Sequence, residues 1–179
     1  MMIHTITELP LIKAARFDLR ALRKSDAGLI ALHTGDLRVA QFTSSIPHPL
    51  PPGATEAFID RMHSPERSED AWAMDGTKSG GPEVMGVISL TRVDEGQSEV
   101  GFWVAPAYWN TGVASEALEA LVAANPQGCR TIFATVQQGN AASARVLTNC
   151  GFEYLGDAES FSVARGASVP TWTYSRKQD

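Results

Sequence analysis

The stretch YWNTGVASEA, from Tyr108 to Ala117, joins two bulky aromatic residues to a turn of small residues and then to good helix formers. A helix that starts after such a turn leaves four backbone N–H groups without intrahelical acceptors and carries a partial positive charge at that end. Because the turn has no bulky side chain after its aromatics, an anion such as a phosphate can approach those N–H groups. The junction is therefore either an ordinary turn or an anion-binding site, and the surrounding elements decide between the two.

The elements before this junction are predicted from hydrophobic periodicity. The first third predicts a strand, a helix that starts near Ser25 and Asp26, and a second helix after a proline-rich loop, at 16–22, about 26–35 and 54–63. The middle predicts three strands separated by Gly- and Asp-bearing turns, at 70–75, 83–93 and 97–105. Three consecutive antiparallel strands are the simplest interpretation of this middle part.

Beyond the junction, helical and strand-like patterns alternate. GVASEALEALVAANP is helical and ends before Pro126, TIFATV (131–136) is a β-branched strand, and NAASARVLTNC is a helix capped by Asn140 and terminated at Gly151. FEYLG and a last segment near 171–176 predict two further strands. This order of elements requires at least one parallel strand pair and a mixed sheet with helices on its faces.

Three segments taken together, SEVGFWVAP, YWNTGVASEA and NAASARVLTNCGFE, resemble the GNAT acyltransferases. The resemblance is strongest from Val84 to Gly156, and the most similar branch contains the ribosomal-protein serine and alanine N-terminal acetyltransferases. It implies an α+β (mixed α/β) fold in which six to seven mostly antiparallel strands include a central parallel pair, splayed for the cofactor, and about four helices flank the sheet. The whole chain, 1–179, is then a single domain, as its length allows.

The resemblance also implies acetyl-CoA as the cosubstrate and indicates which segments hold it. The pyrophosphate is expected on the turn and helix start, at Trp109, Asn110, Thr111, Gly112, Val113 and Ala114. The pantetheine arm is expected to pair like an added strand with Phe102, Trp103 and Val104, on a strand that carries a β-bulge in the family, and to contact Asn140 and Ser143. Trp109 stands where many members have Gln or Arg, so pyrophosphate binding depends on backbone dipoles unless Arg145 or a distant Lys supplies charge.

The chemistry implied by the resemblance is attack of an amine on a thioester with both substrates bound. Glu99 matches an acidic residue of this branch and is the candidate base, acting through a water, whereas a solvated surface glutamate is the alternative. Many members use a tyrosine to protonate the thiolate, but this chain has Leu147 at that position, so Ser143 is the candidate acid. A helix serine that only bonds its own backbone is the alternative there.

These features predict an acetyl-CoA-dependent N-acetyltransferase acting on a primary amine, either a protein N-terminal α-amine or a small molecule. Leu147, and a turn without basic residues, also allow a non-catalytic acyl-CoA-binding regulatory module on the same fold. A dinucleotide or P-loop protein is disfavoured, because neither G-x-G-x-x-G nor G-x-x-x-x-G-K-[ST] occurs. Both a monomer and a homodimer are compatible with the sequence.

Composition narrows the expected partners and surroundings. The formal net charge is −5 and the sequence pI is about 5.4, which argues against a nucleic-acid binder and suits a cationic acceptor. Cys129 and Cys150 lack metal-ligand spacing and are predicted to be reduced thiols, with no metal site. The chain has no run of about 18 apolar residues and no signal-peptide pattern in its first ten residues, so we expect no membrane segment and a cytoplasmic location.

Overall fold

The computed structural model describes residues 8–179, so most of the segment on which the signal-peptide expectation rests, residues 1–7, lies outside the described part. The strands of residues 8–179 are β1 Ile12–Lys13, β2 Asp18–Ala21, β3 Glu69–Asp75, β4 Gly86–Asp94, β5 Gln97–Val104, β6 Thr131–Gln137, β7 Glu153–Ser162 and β8 Ala167–Lys177. The α-helices of the same residues are α1 Ala27–Thr34, α2 Leu37–Ala40, α3 Ala54–Met62, α4 Val113–Ala124 and α5 Ala141–Asn149. None of these helices is long and apolar enough to cross a bilayer.

All eight strands belong to one sheet, in the order β1-β2-β3-β4-β5-β6-β8-β7. Neighbouring strands are antiparallel except β5 and β6, which run parallel. The mixed α/β fold with one central parallel pair is therefore confirmed. The described residues form eight strands instead of six or seven and five α-helices instead of four, and the extra elements include the two-residue β1 and the four-residue α2.

Helices cover both faces of the sheet, and the side chains of successive β5 residues point to opposite faces. Phe102 packs against the core cluster that contains Leu118 of α4 and Leu147 of α5. Trp103 packs against the other cluster, which contains Ile30 of α1 and residues of α3. This alternation is the two-residue period of a strand, and it means that the two aromatic residues point to opposite sides of the sheet.

The parallel strands β5 and β6 are paired only at their first three residues and separate beyond them. Their last register pair joins Glu99 to Phe133. From there β5 remains paired with β4 as far as Val104, while β6 remains paired with β8 as far as Gln137. Because each strand keeps its other neighbour, the sheet opens into a fork between them. The register of β4 with β5 is unbroken from Ser98 to Val104, so the expected β-bulge is absent from this stretch and the fork forms by divergence alone.

A buried polar network holds the paired end of the fork together. The Ser98 hydroxyl donates to the Oε1 of Gln127, and the Nε2 of Gln127 donates to Asp70 on β3 and to the Leu90 carbonyl on β4. Arg67 donates to the other carboxylate oxygen of Asp70. Because Ser98 and Asp70 are almost fully buried, losing one partner would leave a polar group unpaired at considerable cost. The network therefore joins β3, β4, β5 and the loop before β6.

The helix start predicted at Ser25 and Asp26 differs from the structure in its detail. A short 3₁₀ turn, Lys24–Asp26, precedes α1, and the Asp26 side chain does not cap that helix. Its carboxylate is fully buried and accepts hydrogen bonds from the Nη1 and Nη2 of Arg20 at 2.8 and 2.9 Å. The Nε of Arg20 donates to Asp75 at 2.6 Å. A buried guanidinium needs charged partners, and Asp26 supplies one while its carboxylate also accepts the N–H of Arg23 within the 3₁₀ turn.

Candidate active site

A cavity of about 570 Å³ occupies the fork. The first turns of α4 and α5 line it on one face of the sheet, and Val39, Phe42 and Thr43, in and after α2, line it as well. Phe102 of β5 and Thr135 of β6 contribute to its walls from the two arms of the fork. The cavity therefore lies in an opening of the sheet itself.

Helix α4 starts at this cavity without a side-chain cap. Gly112 is its N-cap residue and has a left-handed backbone, at φ 81°, and Asn110 in the preceding turn is also left-handed, at φ 61°. The Thr111 hydroxyl donates to the Tyr108 carbonyl within the turn. The N–H groups at the start of α4 thus receive no acceptor from a capping side chain and stay available to an anion.

One edge of β5 has no strand partner along the fork. The N–H of Ala105 donates to a carbonyl on the β4 side, and in an antiparallel ladder the backbone groups of alternate residues point the same way. Phe102 and Val104 therefore direct their backbone groups into the fork. Trp103 does not, because its carbonyl lies against Gly86 of β4. Trp103 contributes to the cavity lining without a free backbone edge.

The Trp109 side chain contacts the last residue of β5. Its indole Nε1 donates to the Val104 carbonyl at 2.7 Å, which satisfies that group. The guanidinium carbon of Arg38, from α2, lies 5.9 Å from the centroid of the Trp109 ring, and both side chains line the cavity. The aromatic residue thus stabilises the turn and places a cation from α2 beside the site.

Helix α5 also starts at the cavity, but its first turn is capped. The Oδ1 of Asn140 accepts the N–H of Ser143 at 3.2 Å, and the Nδ2 of Asn140 donates to the Ser143 Oγ at 2.9 Å. The cap predicted at Asn140 is therefore confirmed. Because the Ser143 Oγ accepts this hydrogen bond, its own proton is free to be donated elsewhere, and Ser143 lines the cavity.

Glu99 lies at the last paired position of the fork, beside the cavity and outside its lining. Its carboxylate accepts a hydrogen bond from Thr135, which does line the cavity. The residue keeps contact with solvent, yet the protein atoms around its carboxylate partly desolvate it. That desolvation raises the pKa of Glu99 above its usual value, and the Thr135 hydrogen bond opposes the rise. A carboxylate with a raised pKa is a better proton acceptor.

Most of the residues predicted from the sequence meet in this cavity. Those that line it are Phe102, Trp103, Val104, Trp109, Asn110, Gly112, Val113, Ala114, Asn140 and Ser143. Thr111 and Glu99 do not line it, and the Thr111 side chain is used within the turn. Leu147, at the position where many GNAT members have tyrosine, is fully buried in the cavity wall and has no proton to donate.

Positive charge near the cavity comes mostly from outside the motif segments. Arg145 of α5 and Arg38 of α2 line the cavity, and Arg16 contacts the turn before α4. Arg16 is 95 positions from its contact Thr111, so no local sequence pattern could have indicated this proximity. Within residues 8–179, no group of three or more His, Cys, Asp or Glu side chains is placed to hold a metal ion.

Residues 16–153 match the family model of the acetyltransferase (GNAT) domain. The chain belongs to the GNAT acetyltransferase family. The matched range covers more than half of the chain and contains all the predicted site residues, from Glu99 to Ser143. The resemblance carried by the three sequence segments is thereby confirmed, and with it the assignment of an acetyltransferase.

Solved structures share the GNAT fold over almost the whole chain. A GNAT-family acetyltransferase from Bacillus anthracis is 23% identical, with 94% of this chain and 98% of that chain covered and a TM-score of 0.76. RimL, a ribosomal-protein alpha-N-acetyltransferase in complex with coenzyme A, is 17% identical, with coverages of 95% and 99% and a TM-score of 0.80. Spermidine N-acetyltransferase from Vibrio cholerae, in complex with CoA and spermine, is 15% identical, with coverages of 91% and 96% and a TM-score of 0.77. At these identities the similarity shows the fold of this GNAT acetyltransferase and nothing finer.

Proposed function

We propose that this GNAT acetyltransferase transfers an acetyl group from acetyl-CoA to a primary amine. The observation that carries the proposal is that two unpaired sets of backbone groups meet at one cavity. The edge of β5 at Phe102 suits an extended chain with amide groups, and the uncapped start of α4 at Gly112 suits a pyrophosphate. CoA contains these two parts joined end to end.

The side chains around the cavity fit such a cosubstrate. Gly112 and Ala114 leave the first turn of α4 accessible, and Arg38 and Arg145 add positive charge to the walls. Acetyl-CoA, when bound, supplies the acetyl group as a reactive thioester. The residues of this chain then have three tasks, which are to orient the thioester, to remove a proton from the amine and to return a proton to the sulfur.

Proton transfer is assigned in this proposal to Glu99 and Ser143. An α-amine with a pKa of about 8 needs roughly 1.4 kcal/mol to lose its proton at pH 7, whereas a lysine amine needs about 4.6 kcal/mol. The carboxylate of Glu99, beside Thr135, is a sufficient base for the α-amine when it acts through a water. Ser143 donates to the sulfur, since its Oγ already accepts from Asn140 and its proton is free.

The acceptor amine approaches from the face of the sheet that carries α1 and α3, opposite the first turns of α4 and α5. Glu99 and Trp103 point to that face, because they are odd-numbered residues of the same strand. RimL is named for acetylating a ribosomal protein, and the Vibrio cholerae enzyme is named for acetylating spermidine. We therefore keep both a protein N-terminal α-amine and a small-molecule amine within the proposal.

A thermal-shift titration with acetyl-CoA, CoA, ATP and NAD tests the proposal. It is run beside a thiol-release assay on peptides that start with Ser, Ala or Thr, on polyamines and on aminoglycosides. We expect a rise in Tm specific to CoA and acetyl-CoA, and thiol release with one amine class. Glu99→Gln should keep the Tm shift and lower the release rate roughly a hundredfold. A shift with ATP or NAD, but none with CoA, would refute the proposal.

A non-catalytic acyl-CoA-binding module is the second candidate. The observation in its favour is Leu147, a buried apolar wall where a proton donor is common in the family. This candidate predicts the same CoA-induced Tm shift, no thiol release with any amine, and no difference between the wild type and Glu99→Gln. Thiol release that is lost in Glu99→Gln would exclude it.

A further inference from the structure

Arg16, in the turn between β1 and β2, contacts the start of α4 in several places. Its Nη1 donates to the Thr111 carbonyl at 2.9 Å. Its Nε donates to one carboxylate oxygen of Glu116 at 2.9 Å, and its backbone N–H donates to the other at 3.0 Å. Its Nη2 lies 3.4 Å from the position that a Cβ would take on Gly112. One residue therefore contacts both the anion-binding turn and the first helical turn.

Glu116 lies in the first turn of α4, where a carboxylate competes with an incoming anion for the positive end of the helix. Arg16 engages both oxygens of that carboxylate and compensates its charge. The hydrogen bond to Thr111 also fixes a turn whose neighbouring residues, Asn110 and Gly112, are both left-handed. Arg16 is not part of the cavity lining, so it acts on a bound anion through the turn and through Glu116.

We infer that Arg16 is a positioning residue for the pyrophosphate of acetyl-CoA. It holds the turn before α4 in the conformation that directs N–H groups to the cavity, and it neutralises Glu116. The inference rests on the proposed function. Trp109, Asn110 and Thr111 carry no charge, and the guanidinium that contacts this turn comes from the β1–β2 turn instead.

Calorimetric titration of CoA tests this role with Arg16→Gln, Arg16→Lys and the double variant Arg16→Gln/Glu116→Gln. We expect Arg16→Gln to weaken the binding of CoA roughly fivefold, and to weaken the binding of 3′-dephospho-CoA, which keeps the pyrophosphate, by the same factor. Arg16→Lys keeps the charge and should lose less affinity for CoA than Arg16→Gln does. The double variant should regain the part of the lost CoA affinity that is due to the uncompensated carboxylate, whereas the part due to the lost hydrogen bond to Thr111 should remain. Lys13→Gln, at an exposed position of β1, removes an equal charge and should leave the Kd unchanged.

Several outcomes would overturn the role of Arg16. These are unchanged CoA binding by a folded Arg16→Gln, an equal loss in Lys13→Gln, a double variant as weak as the single one, or a loss seen with CoA but not with 3′-dephospho-CoA. If Arg16→Gln does not fold, Glu116→Gln decides, because the inference requires this variant to bind CoA at least as tightly as the wild type. A wild-type protein that does not bind CoA would refute the proposed function itself, and the role of Arg16 with it.

Discussion

Two consecutive strand–turn–helix units meet at the cavity and contribute different kinds of groups. In the first unit, β5 and α4, the available groups belong to the backbone, at the fork edge near Phe102 and at the uncapped helix start behind Gly112. In the second unit, β6 and α5, Asn140 caps the helix start, and the available groups are the side chains of Thr135 and Ser143. Under the proposed function, the same local topology thus provides a binding half and a chemical half.

The difference is that the N–H groups at the start of α4 receive no side-chain acceptor, whereas Asn140 already accepts the N–H of Ser143 at the start of α5. Glu99 joins the two halves, because it belongs to β5 but receives its hydrogen bond from Thr135 of β6. Apart from Glu99, substitutions in β5 and α4 should therefore change the affinity for CoA, and substitutions in β6 and α5 should change turnover.

The largest effect is expected from Gly112→Val in the binding half. A β-branched residue is strained at φ 81°, so the turn and its N–H groups must shift. We expect CoA affinity, measured by calorimetry, to fall about a hundredfold or more. Gly53→Val is the matched control, because Gly53 is the left-handed N-cap of α3, at φ 79°, with open space around its Cβ position. Equal losses of CoA affinity in Gly112→Val and Gly53→Val would show that the turn before α4 has no specific role in CoA binding.

The next largest effect is expected from a comparison of two serines that both line the cavity, Ser143 in α5 and Ser115 in α4. Ser143→Ala should lower kcat roughly tenfold and leave the Kd for CoA unchanged, because it removes the proton donor. The expected loss is moderate, since a thiol with a pKa of about 8.5 already leaves readily as thiolate near neutral pH. Ser115→Ala makes the same change in the first turn of α4 and should keep kcat. A normal kcat in Ser143→Ala would exclude the acid role.

A smaller effect on stability is expected from the cap of α5. Asn140→Ala removes a side-chain acceptor at the helix start and should lower the free energy of unfolding by about 1 kcal/mol, which lowers Tm by about 3 °C. Asn140→Asp keeps the acceptor but loses the Nδ2 that donates to Ser143. It should therefore keep the Tm of the wild type and lower kcat. If Asn140→Ala and Asn140→Asp have the same Tm and the same kcat, the helix cap and the hydrogen bond to Ser143 do not have separate effects.

The smallest expected change is a shift in pH dependence caused by Thr135→Val. The Thr135 hydrogen bond lowers the pKa of Glu99, so its removal raises that pKa. Because the base acts in its deprotonated form, the acid limb of kcat/KM should move to higher pH. Thr173→Val, at the paired position on β8, is the control and should leave the profile in place. An acid limb that persists in Glu99→Gln would show that another group is the base.

The sequence predicted best what is encoded locally. The small residues around Gly112, the Asn140 cap and the β-branched segment of β6 all indicate their own structure, and the structure has them in the expected places. The long hairpin of β7 and β8 was predicted only as two short pieces, because much of β7 is exposed and lacks a clear alternating pattern. Hydrophobic periodicity indicates which residues are buried, so it does not detect an edge strand that is exposed to solvent.

The groups that complete the site were harder to predict. Arg16 and Arg38 reach the turn and the cavity through tertiary contacts, and Thr135 is recognisable as a partner of Glu99 only once the register of β5 and β6 is known. The shape of the fork was also inaccessible, since an unbroken β4–β5 register stands where a bulge was expected. Local sequence patterns specify the helices and strands, whereas the divergence of β5 and β6 depends on which neighbouring strand each of them remains paired with.

The buried network at Ser98, Gln127 and Asp70 has a thermodynamic consequence for ligand binding. It fixes the paired end of β5 and β6 within the folded protein, so folding itself sets the gap between their free ends. The conformational entropy of shaping the two edges is lost during folding, so under the proposed function the pantetheine arm loses mainly its own conformational freedom on binding. Removing the Ser98 hydroxyl would transfer part of that ordering from the folding reaction to the binding reaction, and affinity would then fall through entropy without the loss of any contact to the ligand.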